Sequence, residues 1–164
     1  AALSLLAVRA LGENMEKSSG KFTQLQVSSM RMEQSVHKSG ALIINDAYNA
    51  SPSSMKSAIN TVSEMAYSKK ILVLGDILEL GDYSDALHKS IGKHIASIDQ
   101  DFELLTYGCR AHLISEEADV KGSRHFNALD ELSDYLKGML NNEAVVLLKG
   151  SRGMEMERVN CYIW

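Results

Sequence analysis

Ala41-Leu42-Ile43-Ile44-Asn45-Asp46-Ala47-Tyr48-Asn49-Ala50-Ser51-Pro52 is the stretch on which the fold turns. Its first four residues form a short apolar run suited to a strand buried on both faces. Pro52 then suits the opening turn of a helix, where a missing N–H costs nothing. Beyond it, Met55, Ile59, Val62 and Ala66 recur at helical spacing and predict one buried helix face. A buried strand that passes through a polar loop into an amphipathic helix is the first part of a βα unit.

The unit repeats downstream. Ile71 to Leu74 reads as a strand, followed by a helix from about Ser84 that carries Leu87, Ile91 and Ile95. Phe102 to Thr106 is the next strand and Ala111 to Glu117 a short helix; Ser123 to Phe126 is a short strand before a helix with Leu129, Leu132, Leu136 and Leu140. Ala144 to Leu148 closes the series as a central strand. Repetition of this kind implies an α/β fold: a doubly wound, mostly parallel, Rossmann-like sheet with helices on both faces. Ligands of such sheets sit beyond the carboxyl ends of the strands, so the loops after Ile44, Leu74 and Leu148 are where chemistry is expected.

Working upstream, residues 1–12 read as a helix through Leu3, Leu6, Ala7 and Ala10, ended by Gly12, and residues 13–21 as a polar linker. Phe22 to Val27 alternates weakly, as an edge strand does. Ala1 starts in mid-pattern with neither Met nor a helix cap, and the chain is expected to begin inside a longer protein.

Bulk properties narrow the function. At 164 residues, 45% hydrophobic and 23% charged, the chain suits one packed core without disulfide staples. A net charge of −4 offers no general basic field, so nucleic acid is an unexpected partner. The opening apolar stretch is short and carries Arg9, which makes a poor membrane anchor. Cys109 and Cys161 lie far apart without CxxC or zinc spacing, and read as reduced thiols of a cytoplasmic protein. His88 and His94, six apart on a helix, would not share a face, and no metal site is expected.

Each of the three loops has a functional and a structural reading. The first, residues 45–52, puts a carboxylate, an amide and a phenol before a helix start that favours anions, but Asp, Asn and Ser are also ordinary turn and cap residues. In the second, Leu74 to Gly81, Asp76 could meet a ligand or hold the loop's own backbone amides. The third, Lys149-Gly150-Ser151-Arg152-Gly153-Met154-Glu155-Met156-Glu157-Arg158, gathers cations and glycines into a cradle for carboxylate or phosphate. Alternatively, Lys149 and Arg152 pair with Glu155 or Glu157 at a helix start.

Taken together and in order, Ile43 to Pro52, Val73 to Gly81 and Leu148 to Met154 resemble the D-alanyl-D-alanine-adding Mur ligases almost position for position. Met30-Arg31-Met32-Glu33 is similar to the basic motif that enters the carboxy-terminal domain of that family, and residues 1–12 to the last helix of its central domain. Two departures stand out. Ser29 and Met30 occupy positions where many members have Gly before the Arg, and Asn45 replaces the first acid of a frequent Asp-Asp pair, leaving Asp46 as the functional carboxylate.

The resemblance implies a division into residues 1–21, the end of the central domain plus a linker, and residues 22–164, the carboxy-terminal domain. It implies a ligase in which ATP, with magnesium held mainly by the central domain, activates a carboxylate of UDP-N-acetylmuramoyl-tripeptide as an acyl phosphate. D-alanyl-D-alanine then displaces phosphate in peptidoglycan synthesis. By the same resemblance Asp46 would meet the ATP ribose, Arg31 the nucleotide, Asn49 the phosphates, and Tyr48 would be a further nucleotide contact. Lys149 and Arg152 would act at the reacting centre, with Gly150, Ser151 and Arg152 facing the dipeptide. No GxxxxGK[ST] phosphate loop occurs in the chain, so alone it is expected to bind ATP weakly and to ligate nothing. The alternatives are a sister Mur ligase domain for another amino acid and a receiver-type signalling domain phosphorylated on Asp76.

Overall fold

The computed structural model describes residues 30–164. The expected helix over 1–12, linker over 13–21 and strand over 22–27 lie outside the described residues. The strands are β1 (Glu33–Val36), β2 (Leu42–Asn45), β3 (Lys69–Gly75), β4 (Glu103–Tyr107), β5 (Arg124–Phe126) and β6 (Ala144–Lys149). The helices are α1 (Pro52–Ser63), α2 (Ser84–Ala96), α3 (His112–Ala118), α4 (Leu129–Lys137) and α5 (Arg158–Ile163).

These strands form a sheet of order β1-β2-β6-β3-β4-β5 in which every pairing is parallel except β1 with β2. The doubly wound, mostly parallel α/β sheet expected from the apolar runs is what the chain adopts. β6 lies between β2 and β3 and is buried along its whole length, as its unbroken apolar run requires. Alternate strand residues supply the two faces. Ile44, Leu72, Leu74, Leu104, Val145 and Leu147 pack against α1, α2 and α3, while Ile43, Ile71, Val73, Leu105, Val146 and Leu148 pack against α4 and α5.

α1 begins where Pro52 predicts. Ser51 is its N-cap: the Ser51 hydroxyl accepts the Ser54 N–H at 3.2 Å, and the Ser54 hydroxyl accepts the Ser51 N–H at 2.9 Å. Met55, Ile59 and Val62 are buried as their spacing requires, but the helix stops at Ser63 and Ala66 is exposed. In α2 the fully buried position beside Ile91 and Ile95 is His88, and Leu87 is only half-buried. Leu140 falls beyond the end of α4 and packs partly against the core.

Gly92 allows α2 and α3 to touch. A methyl there would lie 2.4 Å from the Ile114 carbonyl oxygen and 2.9 Å from the Ala118 nitrogen. Alanine inside a helix normally gains about 1 kcal/mol over glycine. Here the backbone clash wins, and Gly92→Ala is expected to lose about 2–3 kcal/mol of stability in urea unfolding. A variant as stable as the parent would show that the two helices are spaced more widely.

Candidate functional site

Parallel pairing of β2 with β6, Asn45 opposite Leu148, brings the first and third loops side by side at the carboxyl edge of the sheet. One residue beyond that register, the Asp46 N–H donates to the Leu148 carbonyl at 2.9 Å, and Lys149 enters beneath the first loop. The Lys149 side chain is only 2% exposed. Its ammonium donates to Asp46 Oδ2 at 2.6 Å, to the Asn49 carbonyl at 3.0 Å and to the Asp46 carbonyl at 3.4 Å. These three acceptors take up its three N–H donors.

The other Asp46 oxygen, Oδ1, accepts the Met32 N–H at 3.1 Å, so one carboxylate joins the end of β6 to the segment entering β1. Tyr48 N–H donates to the Met30 carbonyl at 3.0 Å, and the Arg31 guanidinium lies 4.4 Å from the centre of the Tyr48 ring. Met30 and Met32, flanking Arg31, both take positive φ, +62° and +49°. Met30 thus adopts the backbone geometry that favours glycine, at the point where many relatives were expected to have it. Asn45, in place of a first acid, makes an Asx turn by accepting the Ala47 N–H at 3.3 Å. Asn49 Oδ1 accepts the Ala50 N–H at 2.8 Å.

A crevice of about 280 Å³ results, lined by Arg31, Asp46, Tyr48, Asn49 and Lys149, with the cap serines Ser51 and Ser54 at its helical end. A roomier cavity of about 450 Å³ opens between Lys69, Lys70, Phe102 and Lys121, where β3 and β4 begin, and touches none of the candidate site residues read from the sequence.

Gly150, Ser151 and Arg152 stand apart from the lining. Gly150 lies against Gly75, where an added Cβ would come 3.2 Å from the Gly75 Cα and 2.8 Å from Met156 Cγ. Ser151 is 6% exposed; its N–H donates to the Asp76 carbonyl at 3.0 Å and its hydroxyl accepts the Leu78 N–H at 2.8 Å. Arg152 is more than half exposed, pairs with Glu157, and sends Nη1 to within 3.2 Å of Met30 Sδ. It therefore approaches the crevice from the side, through the residue next to Arg31. Of the pairings expected for the third loop, Arg152 with Glu157 is present, while Lys149 pairs with Asp46 instead.

Asp76 holds its own loops. Its carboxylate accepts the N–H groups of Cys109 at 2.9 Å, Arg110 at 3.0 Å and Ala111 at 2.7 Å, and the residue is 5% exposed. A phosphoacceptor aspartate needs an open oxygen, so this geometry argues against the receiver reading. Cys109 and Cys161 are free thiols. Nearby, burial pushes the His125 imidazole below its ordinary value of 6.5, and charge on His112 pushes it further, against Asn127, Asp76 and Glu116. The native state thus favours neutral His125, and the unfolded chain binds more protons near and below 6.5. Stability is expected to fall as pH drops through that value, with a smaller fall in His125→Gln; Tm at pH 5.5 and 7.5 checks it. An equal fall in both proteins would assign the acid loss elsewhere.

A family model described as "Mur ligase, glutamate ligase domain" matches residues 30–152. The chain belongs to the Mur ligase family. A Bacillus subtilis relative, UDP-N-acetylmuramoyl-tripeptide--D-alanyl-D-alanine ligase, is 41% identical over 140 residues, covering 82% of this chain and 30% of the relative. The Escherichia coli enzyme of the same name is 36% identical over 122 residues, covering 72% of this chain and 26% of the relative. Among solved structures, a MurF from Acinetobacter baumannii superposes with a TM-score of 0.82 at 28% identity, covering 95% of this chain and 35% of that one. The Thermotoga maritima MurF ligase in complex with ADP gives a TM-score of 0.78 at 26% identity, covering 98% and 36%. The chain thus spans about a third or less of the length of these Mur ligases.

Sequence reasoning named the residues of this Mur ligase crevice but missed how Met30 and Met32 frame Arg31, and it did not single out Ser54. The Ser51-to-Ser54 cap spacing was a signal available for the serines. Nothing local foretold the methionine contacts.

Proposed function

We propose that the chain is the closing, carboxy-terminal domain of a cytoplasmic, ATP-dependent ligase that joins D-alanyl-D-alanine to UDP-N-acetylmuramoyl-tripeptide in peptidoglycan synthesis. Residues 22–164 would form this domain, and residues 1–21 the end of a central domain with its linker. The observation that carries the proposal is the convergence of Arg31, Asp46, Tyr48 and Asn49 on one crevice at the carboxyl edge of the sheet. Similarity to a MurF solved with ADP supports it.

The crevice fits the nucleoside part of a nucleotide. The stacked Arg31 and Tyr48 offer a flat wall to a base, and Asp46 keeps lone pairs for ribose hydroxyls after accepting from Met32 and Lys149. Its volume, about 280 Å³, lies near the roughly 300 Å³ lower end of small-ligand pockets. A triphosphate is less well served, because Arg31 and Lys149 are the lining cations and every Lys149 donor is taken. Among the described residues no cluster of three or more His, Cys, Asp or Glu could hold a metal ion; magnesium, which needs only one or two carboxylates beside the phosphates, would be held mainly by the central domain.

ATP, when bound, supplies the phosphoryl group that activates the substrate carboxylate. This chain would contribute position and charge. Asp46 and Arg31 would hold the nucleoside end, and Asn49 would stand at the phosphate side. Lys149 would serve the reaction by fixing the Asp46-to-Asn49 loop from below. Ser151 and Gly150 would set the backbone that carries Arg152, the exposed cation suited to the dipeptide carboxylate or to charge developing during transfer.

Replacing the matching part of the Bacillus subtilis relative with this chain tests the proposal. The chimera should form product with D-alanyl-D-alanine, and Asp46→Ala, in a chimera whose fold is verified because the change also strands buried Lys149, should raise its KM for ATP more than tenfold, about the worth of a lost charged hydrogen-bond acceptor. A folded chimera that accepts only another amino acid would point to a sister Mur ligase; one that ligates nothing would overturn the reading.

A further inference from the structure

We infer that Glu157 is the positioning residue that aims Arg152 at the anionic end of the incoming amine, an inference resting on the reading of Arg152 just given. Arg152 is a long side chain on a turn, 55% exposed, whose only other polar side-chain partner among the described residues is the weak acceptor Met30 Sδ at 3.2 Å. Left to itself such a guanidinium samples many rotamers, and a ligand that needs it must order it on binding. Glu157 is the opposite kind of group. Its side chain is 22% exposed, and it opens α5, whose Val159 and Ile163 are fully buried. A carboxylate fixed to the core pins a mobile cation.

The surrounding charges leave the pair to itself. The other nearby cation, Arg158, is taken by Glu155 at 3.0 Å and by the Tyr162 hydroxyl at 3.3 Å. Glu157 Oε1 holds Arg152 Nη1, while among the described residues the buried Glu157 Oε2 has no hydrogen-bond partner, nor does Asn160 Oδ1 three residues on. With Nη1 held on the Glu157 side, the remaining guanidinium donors stay available in the fork geometry that suits a carboxylate. The brace is completed by Leu78, whose N–H is held by Ser151 and whose Cδ1 lies 2.9 Å from where a Cβ on Gly153 would be.

Two measurements decide the matter. In the isolated chain, nitrogen-15 relaxation of the Arg152 Nε–H should report an ordered guanidinium that Glu157→Ala sets free; equal mobility in both would overturn the pinning. In the chimera described above, Glu157→Ala should raise KM for D-alanyl-D-alanine about tenfold with a smaller effect on kcat, and Glu157→Gln, which keeps an acceptor oxygen, should raise it less. In an Arg152→Ala background the same Glu157→Ala change should add nothing. An unchanged or lowered KM, or an equal increment with and without Arg152, would overturn the inference. Failure of the unsubstituted chimera to ligate would instead count against the proposed function, and the relaxation measurement would still judge the pair.

Discussion

Lys149→Ala is expected to lower folding stability by about 3–5 kcal/mol, the usual result of removing one partner of a buried ion pair. The change deletes the cation bonded to Asp46 Oδ2 and leaves the Asp46 and Asn49 carbonyls without their donor. Lys149→Met, nearly the same shape, should cost almost as much, since the loss lies in the abandoned carboxylate and not in packing. Urea unfolding of the isolated chain measures both. A lysine that served chemistry alone would leave the unfolding midpoint where it was, so an unshifted midpoint would show that the buried geometry is wrong.

Asp76→Ala should be about as damaging. Three backbone N–H groups, of Cys109, Arg110 and Ala111, converge on its carboxylate, and the site is too enclosed for water to replace it freely. At roughly 1–3 kcal/mol for each donor left unsatisfied, and with partial relaxation, a loss of about 4 kcal/mol is expected. Asp76→Asn keeps one acceptor oxygen and should recover part of it. A further experiment separates structure from signalling: incubation with acetyl phosphate and magnesium should leave the parent protein unmodified at Asp76. A phosphoryl group found there would revive the receiver reading.

The architecture was largely legible because buried parallel strands are written as continuous apolar runs. Ala144 to Leu148 declared its central place before any coordinates, and Pro52 marked the start of α1. β1 left no such trace: Glu33-Gln34-Ser35-Val36 is an edge strand with little buried surface, so no apolar pattern was demanded of it. Helix ends were overrun at Ala66 and Leu140, where the apolar period continues into residues the backbone no longer holds in a helix. His88 took a core position because its ring answers two backbone groups, accepting the Ile77 N–H at 3.0 Å and bonding the Ser84 carbonyl at 2.7 Å.

For the candidate site, readable strand ends pointed to three loops, of which the first and, through Lys149, the third line the crevice, but not to which of their atoms face it. Lys149 looks like a free cation in the chain. The register of β6 on β2 turns it under Asp46 and spends all three of its donors internally. Arg31 is likewise presented by a turn with two methionines at positive φ, a geometry that residue type alone would not suggest.

In the proposed function Arg31, Asp46, Tyr48 and Asn49 together make one nucleoside seat. Titrating the nitrogen-15-labelled chain with ADP, and following its amide resonances, tests this most directly. The expected result is saturable shifts confined to these residues and their neighbours, abolished by Asp46→Ala in a variant that keeps its fold. Shifts gathered instead around Lys69, Lys70 and Lys121 at the other end of the sheet, or no shifts at any ADP concentration, would contradict it.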